Sequence, residues 1–257
     1  MSTSPRIIPI SNALKNILLN NAPIQKVHNL FKTKNYKIRI AGGFVRDACC
    51  LNKDVNDIDL ATDATPQEML KLFEENEIKT FNRNGEAHGT VSCLIENEQL
   101  EITTLRSDVL TDGRHAKVSF HRDWRLDAER RDLTIGAMFL DLDDFTIIDY
   151  FSGYDHAING IVKFVGSAES RIQEDYLRIL RYFRFLARLN DDKEILPENQ
   201  IDHQTLSTIK ENREGLRKVA NERKWVEISK IITDKHLHGG KMFVDHHWCV
   251  CNIKAGS

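Results

Sequence analysis

No apolar run in the chain is long enough to cross a membrane, and the start lacks the apolar core of a secretory signal. Membrane-spanning and exported classes therefore find no support in these residues. Cysteine is scarce: five among 257 residues, irregularly spaced. That excludes a disulfide framework and points to reduced thiols inside a cell, cytoplasmic or nuclear. Internal repeats and low-complexity tracts are also missing, which removes solenoids and linkers. Nor is there an excess of either charge, with 36 Lys and Arg against 38 Asp and Glu. A nucleic-acid partner cannot be read from that balance. One local absence says more: no Asp or Glu precedes Asp47, while Lys and Arg recur. This start reads as a surface helix or flexible lead-in, with a mitochondrial presequence over residues 2–21 as the alternative. Arginines recur again over 171–188, and local basic surfaces can hold phosphates even in a neutral protein.

The apolar pattern divides the chain. Residues 7–31 read as helical, interrupted near Pro23. Residues 36–41 read as a strand running into Gly42-Gly43, and 44–51 as a short helix. Residues 55–60 are expected as a strand. Thr65-Pro66 has the form of an N-cap with proline in the first turn of a helix over 68–75. Residues 89–95 and 99–105 suggest paired strands. Residues 107–128 are polar and charged and read as a mobile loop, 131–139 as a helix and 146–150 as a strand. After about Gly153 the pattern turns helical, with helices expected over 167–189, 203–210 and 221–232. The expectation is an α+β fold: an α/β part followed by an all-helical part.

Four constellations carry chemistry. Gly42-Gly43-Phe44-Val45-Arg46-Asp47 follows a strand and opens a helix. Glycines let backbone amides approach a triphosphate, and Arg46 could add a bidentate phosphate contact. Asp47 could instead pair with Arg46. Asp57-Ile58-Asp59 places two carboxylates one residue apart, on one face if the segment is a strand. Such a pair repels itself without a cation, and hard ions such as Mg²⁺ take oxygen ligands. Glu101, on a neighbouring expected strand, is the candidate third carboxylate, with an exposed edge position as the alternative. Arg130-Arg131-Asp132-Leu133-Thr134 can serve phosphate and ribose through Arg131 and Asp132, or be a solvated face. Glu174-Asp175-Tyr176-Leu177-Arg178 puts Asp175 and Arg178 three apart on an expected helix. They form either an intrahelical ion pair or a base reader. Cytosine and adenine show an amino donor beside a ring-nitrogen acceptor, whereas uracil and guanine show the reverse. One carboxylate beside one guanidinium accepts the first two and rejects the others. Arg181, Arg184 and Arg188 extend a basic stripe that suits either solvent or RNA backbone.

These motifs, with Asn221-Glu222-Arg223, stand in the order found in class II CCA-adding enzymes. The sequence resembles those tRNA nucleotidyltransferases of the polymerase β superfamily over residues 25–234. It is most similar to their eukaryotic branch, for example in Thr111-Asp112-Gly113-Arg114-His115-Ala116. The resemblance implies a lead-in over 1–24, a catalytic head over 25–158, a helical neck over 159–234 and an atypical segment over 235–257. It implies that Asp57 and Asp59 bind Mg²⁺ and that the Arg131-Asp132 segment contacts ribose. It further implies that Asp175 and Arg178 template CTP and ATP, and that Glu222 and Arg223 support the neck. The segment around 149–153 resembles the family's hinge, and 107–128 its flexible loop. The implied reaction is addition of CMP and AMP to the 3′ end of tRNA. A poly(A) polymerase of the same superfamily, or an inactive nucleotide- or RNA-binding fragment, is the alternative. Three departures stand out: Gly136 where the family carries Asn, Ala220-Asn221 before Glu-Arg, and an end at Ser257 where the family continues into body and tail. The terminal His and Cys of Asp245-His246-His247-Trp248-Cys249-Val250-Cys251 match no standard zinc spacing and read as an unrelated end.

Overall fold

A computed structural model describes residues 4–53, 55, 57–81, 83–111, 116–190, 200 and 202–233. The Asp112–His115 portion of the loop motif and the segment from 235 onward lie outside the described residues. Two compact units emerge, one of residues up to 158 with 164–166, the other of 159–163 with the residues from 167 onward.

The first unit is built on an eight-stranded mixed sheet among the described residues. Its strands are β1 (Arg6–Pro9), β2 (Ile38–Ala41), β3 (Asp59–Thr62), β4 (Thr80–Phe81), β5 (Thr90–Ile95), β6 (Glu98–Thr104), β9 (Met138–Asp141) and β10 (Thr146–Asp149). They lie in the order β1-β10-β9-β2-β3-β6-β5-β4. Only β3 and β6 run parallel, with Asp59 opposite Glu101. The helices are α1 (Asn12–Leu19), α2 (Ala22–Lys32), α3 (Pro66–Glu75), α4 (Trp124–Glu129) and α5 (Gly153–Ile158). Thr65 and Glu68 form the reciprocal capping box that starts α3: the Glu68 amide donates to Thr65 Oγ1 at 3.3 Å, and the Thr65 amide to Glu68 Oε2 at 2.7 Å. Glu96 and Asn97, both with positive φ, make the tight turn between β5 and β6.

Several elements differ from the sequence pattern. Residues 6–9 form an edge strand paired with β10, not the start of a helix. The basic start thus contributes strands β1 and β2 to the sheet, and four of its lysines meet acids. Lys26 bonds Glu96, Lys32 and Lys37 share Asp143, and Lys34 bonds Glu75. The stretch read as a mobile loop contains the hairpin β7 (Arg106–Thr111) and β8 (Ala116–Phe120), then α4. The expected helix over 131–139 is a 3₁₀ turn, Thr134–Gly136, followed by the wholly buried β9. A continuous apolar run suits a buried strand as well as a helix, and pairing with β2 and β10 decides it.

The second unit comprises α6 (Ala168–Glu174), α7 (Leu177–Leu189), α8 (His203–Asn212) and α9 (Asn221–Thr233). The expected single helix over 167–189 breaks at Asp175, whose backbone is extended, with φ −156° and ψ 106°. Asp175 Oδ1 accepts the Leu177 amide at 3.2 Å, so the residue acts as a cap rather than a helical position. Leu177, Leu180 and Val219 form a small core here with Tyr176, Leu216 and Ile228.

Within the first unit, Gly153 leaves no room for a side chain, since a Cβ there would stand 2.2 Å from the Thr134 carbonyl oxygen. Gly153→Ala is therefore expected to destabilise the protein by about 1–3 kcal/mol through overpacking. The measurement is the thermal midpoint of the variant against wild type; an equal midpoint contradicts the packing described.

Candidate functional site

The acidic part of the site is set by β3 and β6. Asp59 begins β3, and Glu101 is its register partner across the parallel pair. Asp57 lies just before the strand, so its position comes from irregular chain and not from strand alternation. All three residues are exposed. Even so, partial desolvation raises the Asp59 carboxyl above its ordinary value, and the charges of Asp57 and Glu101 add to the shift while Arg131 opposes it. Among the described residues no three His, Cys, Asp or Glu side chains converge as a ready metal cage. Asp57 and Asp59 still offer an oxygen-only donor set with mutual repulsion to relieve, which fits a hard divalent cation.

The cationic part faces it from the segment after α4. Arg131 donates from Nη1 to the Gly136 carbonyl at 3.0 Å and from Nη2 and Nε to Asp127 at 3.1 and 3.3 Å. Its guanidinium carbon lies 5.0 Å from the centre of the Phe139 ring. A Cβ at Gly42 would stand 3.3 Å from Arg131 Nη1, and Gly42 has φ +67°. Glycine at that position thus lets the arginine settle against the backbone. Asp132 is half-buried, and its carbonyl accepts the Val165 amide at 2.9 Å.

The glycine pair is less open than the sequence suggests. The Gly42 amide donates to the Met138 carbonyl at 3.3 Å, extending the contact between β2 and β9. The short helix after it, Val45–Cys50, is of the π type, and Gly43 sits beside Arg46. Arg46 and Asp47 are 6% and 3% exposed and bound to each other in a fork, Nε to Oδ1 at 2.8 Å and Nη2 to Oδ2 at 2.5 Å. Of the two roles open to Asp47, pairing with Arg46 is the one formed.

In the helical unit, Asp175 and Arg178 do not pair with each other. Asp175 takes Arg223 of α9, with Nη2 to Oδ2 at 2.7 Å. Arg178 donates to Glu174 Oε2 at 2.5 Å and to the Arg171 carbonyl at 3.0 Å. Each member of the expected base reader is thus held separately. Arg184 pairs at 2.8 Å with Glu227, a 5% exposed residue of α9, and Arg181 lies 3.7 Å from the same carboxylate. Two arginines of the basic stripe therefore contribute to the packing of α7 on α9. Glu222 is exposed in the first turn of α9.

Residues 38–163 match the model of the poly A polymerase head domain, and residues 200–242 match that of a probable RNA- and SrmB-binding site of polymerase A. The chain is 49% identical over 215 residues to the mitochondrial CCA tRNA nucleotidyltransferase 1 of Mus musculus. It belongs to the CCA-adding nucleotidyltransferase family. The mouse match covers 84% of this chain and 48% of the relative. A CCA-adding enzyme of Bacillus licheniformis is 37% identical, over 79% of this chain and 48% of its own. The chain thus spans about half the length of these curated relatives. Among solved structures, the CCA-adding enzyme of Bacillus stearothermophilus in complex with CTP superimposes with a TM-score of 0.67 at 30% identity, over 81% of this chain and 48% of the other.

With the family in hand, Gly136 ceases to be a difficulty. Arg131 uses its backbone carbonyl, which glycine supplies as well as asparagine, and the space where a Cβ would stand is open. Sequence reasoning passed over the buried carboxylate Asp127 and met Asp149 only within the hinge-like segment 149–153. Asp127 collects the arginines before the 3₁₀ turn. Asp149, 3% exposed, accepts the amides of Phe151, Gly153 and Tyr154, each at 3.0 Å. Asp149 was legible, as an Asp followed by Gly at the start of a helix. Asp127 gave no signal beyond its place in a charged stretch.

The raised Asp59 carboxyl has a consequence for stability. Between the ordinary carboxylate range and its raised value, the folded state holds a proton that the unfolded state has lost, so stability falls as pH rises through that window. Asp59→Asn is expected to raise the thermal midpoint at neutral pH in chelator, with the difference closing below the ordinary carboxylate range. A pH series of thermal melts checks this; a lower midpoint for the variant at neutral pH contradicts it.

Proposed function

We propose that this chain is a metal-dependent tRNA nucleotidyltransferase that adds CMP and AMP, from CTP and ATP, to the 3′ end of tRNA with release of pyrophosphate. The reading is carried by one observation: a self-repelling carboxylate group, Asp57, Asp59 and Glu101, shares its electrostatic surroundings with an arginine settled against a glycine backbone. Acid for metal beside base for phosphate is what phosphoryl transfer to a hydroxyl requires.

Asp57 and Asp59 would hold the cation, Mg²⁺ in this reading. When bound, it supplies charge neutralisation at the phosphates and eases deprotonation of the attacking hydroxyl. Glu101 adds negative charge beside Asp59. Arg131 takes up phosphate or ribose oxygens with Asp132, and Gly42 admits it to the backbone, while Gly43 lies beside Arg46. Arg46, tied to Asp47, keeps the turn after the glycines in place. Asp175 and Arg178 read the base, and Arg223 and Glu174 hold them at fixed angles before a nucleotide arrives. Arg181, Arg184 and Glu222 act through the helical packing. The mouse relative's name supports tRNA as the acceptor and mitochondria as one compartment for the family.

The test is incubation with a tRNA lacking its CCA end and each labelled nucleotide in turn. CTP and ATP are expected to be used and UTP and GTP refused. Extension with A alone would favour a poly(A) polymerase, and equal use of all four would refute the base-reading pair. Asp57→Ala and Asp59→Ala should each lower the rate by about 10³-fold or more, given the charge stabilisation that such groups supply. Arg223→Ala should leave CTP use measurable while raising UTP and GTP incorporation, because Asp175 loses its fixed partner. Unchanged discrimination would place Arg223 outside base reading.

A further inference from the structure

We infer that Asp127 is a positioning residue for nucleotide binding, acting through Arg131. The inference rests on the reading above that Arg131 meets the nucleotide. Asp127 is 1% exposed, and a carboxylate so buried must be compensated by donors. Oδ1 accepts Arg130 Nε at 2.8 Å and the Arg106 amide at 3.2 Å. Oδ2 accepts Arg131 Nη2 at 3.1 Å and Nε at 3.3 Å. Burial works to push the carboxyl up, but Arg131 and Arg130 outweigh it and hold the group below its ordinary range, so it stays ionised at neutral pH.

The contacts fix the guanidinium of Arg131 on three sides: Asp127 along one edge, the Gly136 carbonyl at Nη1, and the Phe139 ring against its face. An arginine held in this way loses little rotamer freedom when an anion binds, and preorganisation of this kind raises affinity without any new contact. Two guanidiniums share the one carboxylate, so Asp127 alone does not neutralise them. The same carboxylate holds the amide of Arg106, the first residue of β7. It therefore ties the base of the β7–β8 hairpin to the arginine that meets the nucleotide.

The experiment measures equilibrium CTP binding to the full chain with Mg²⁺ and without tRNA, together with the KM and kcat of nucleotide addition. The variants are Asp127→Asn, Arg131→Lys and the double. Asp127→Asn is expected to weaken CTP binding and raise the CTP KM about tenfold, with kcat at saturating CTP within about twofold and the KM for tRNA unchanged. The double variant should bind CTP no more weakly than the weaker single, since both act through one contact. If Asp127→Asn does not fold, Asp127→Glu keeps the charge and displaces it by a methylene. A raised CTP KM with a native melt then supports the inference, and an unchanged KM overturns it. Losses that multiply in the double variant also overturn it, as does a folded Asp127→Asn that binds CTP like wild type. Wild-type protein that binds no CTP overturns the nucleotidyltransferase reading, and this inference with it.

Discussion

Repulsion of Asp59 by Asp57 and Glu101 is the interaction on which the candidate site of the first unit turns. The parallel pairing of β3 with β6 sets Asp59 beside Glu101, and the irregular chain before β3 adds Asp57. A fold tolerates such a group only if counter-charge stands near. Arg131 is the cation that opposes the shift at Asp59, and it is anchored to Asp127, Gly136 and Phe139. The glycine at 42 leaves room for that arginine. Sheet register, a glycine and a buried carboxylate are thus parts of one electrostatic arrangement, and a divalent cation is its natural complement.

Much of the fold was readable because its causes are local. The N-cap at Thr65 and the hairpin of the strands expected over 89–95 and 99–105 need only neighbouring residues, and both formed where the pattern placed them. The misreadings share one cause, contact between distant positions. Strand β9 looked helical because a short apolar run has no period of its own, and only its neighbours β2 and β10 reveal it. The polar stretch over 107–128 looked unstructured because its hairpin depends on cross-strand pairing. Of the candidate site, the carboxylates and Arg131 were legible as chemistry. Asp127 was not, since nothing in the sequence says that a charged residue among charged neighbours will be buried.

The helical unit teaches the same point about charge. Arginines at helical spacing on α7 resemble a track for a polyanion, yet Arg184 is matched to the buried Glu227 and Arg178 to Glu174. Lys26, Lys32, Lys34 and Lys37 of the acid-free start are likewise matched to acids far along the chain. Runs of one sign in sequence become neutral pairs in space. What remains distinctive is the break at Asp175, where two helices meet and a side chain is aimed by extended backbone rather than by helical pitch.

The edge strand β1 has a consequence for how the protein is made. Arg6 pairs with Asp149 and Pro9 with Thr146, so the sheet cannot close until β10 has left the ribosome. At ordinary rates of synthesis that is a delay of roughly 10–30 s. Through this interval the first strand waits without its partner, its backbone donors and acceptors open to water or to another strand.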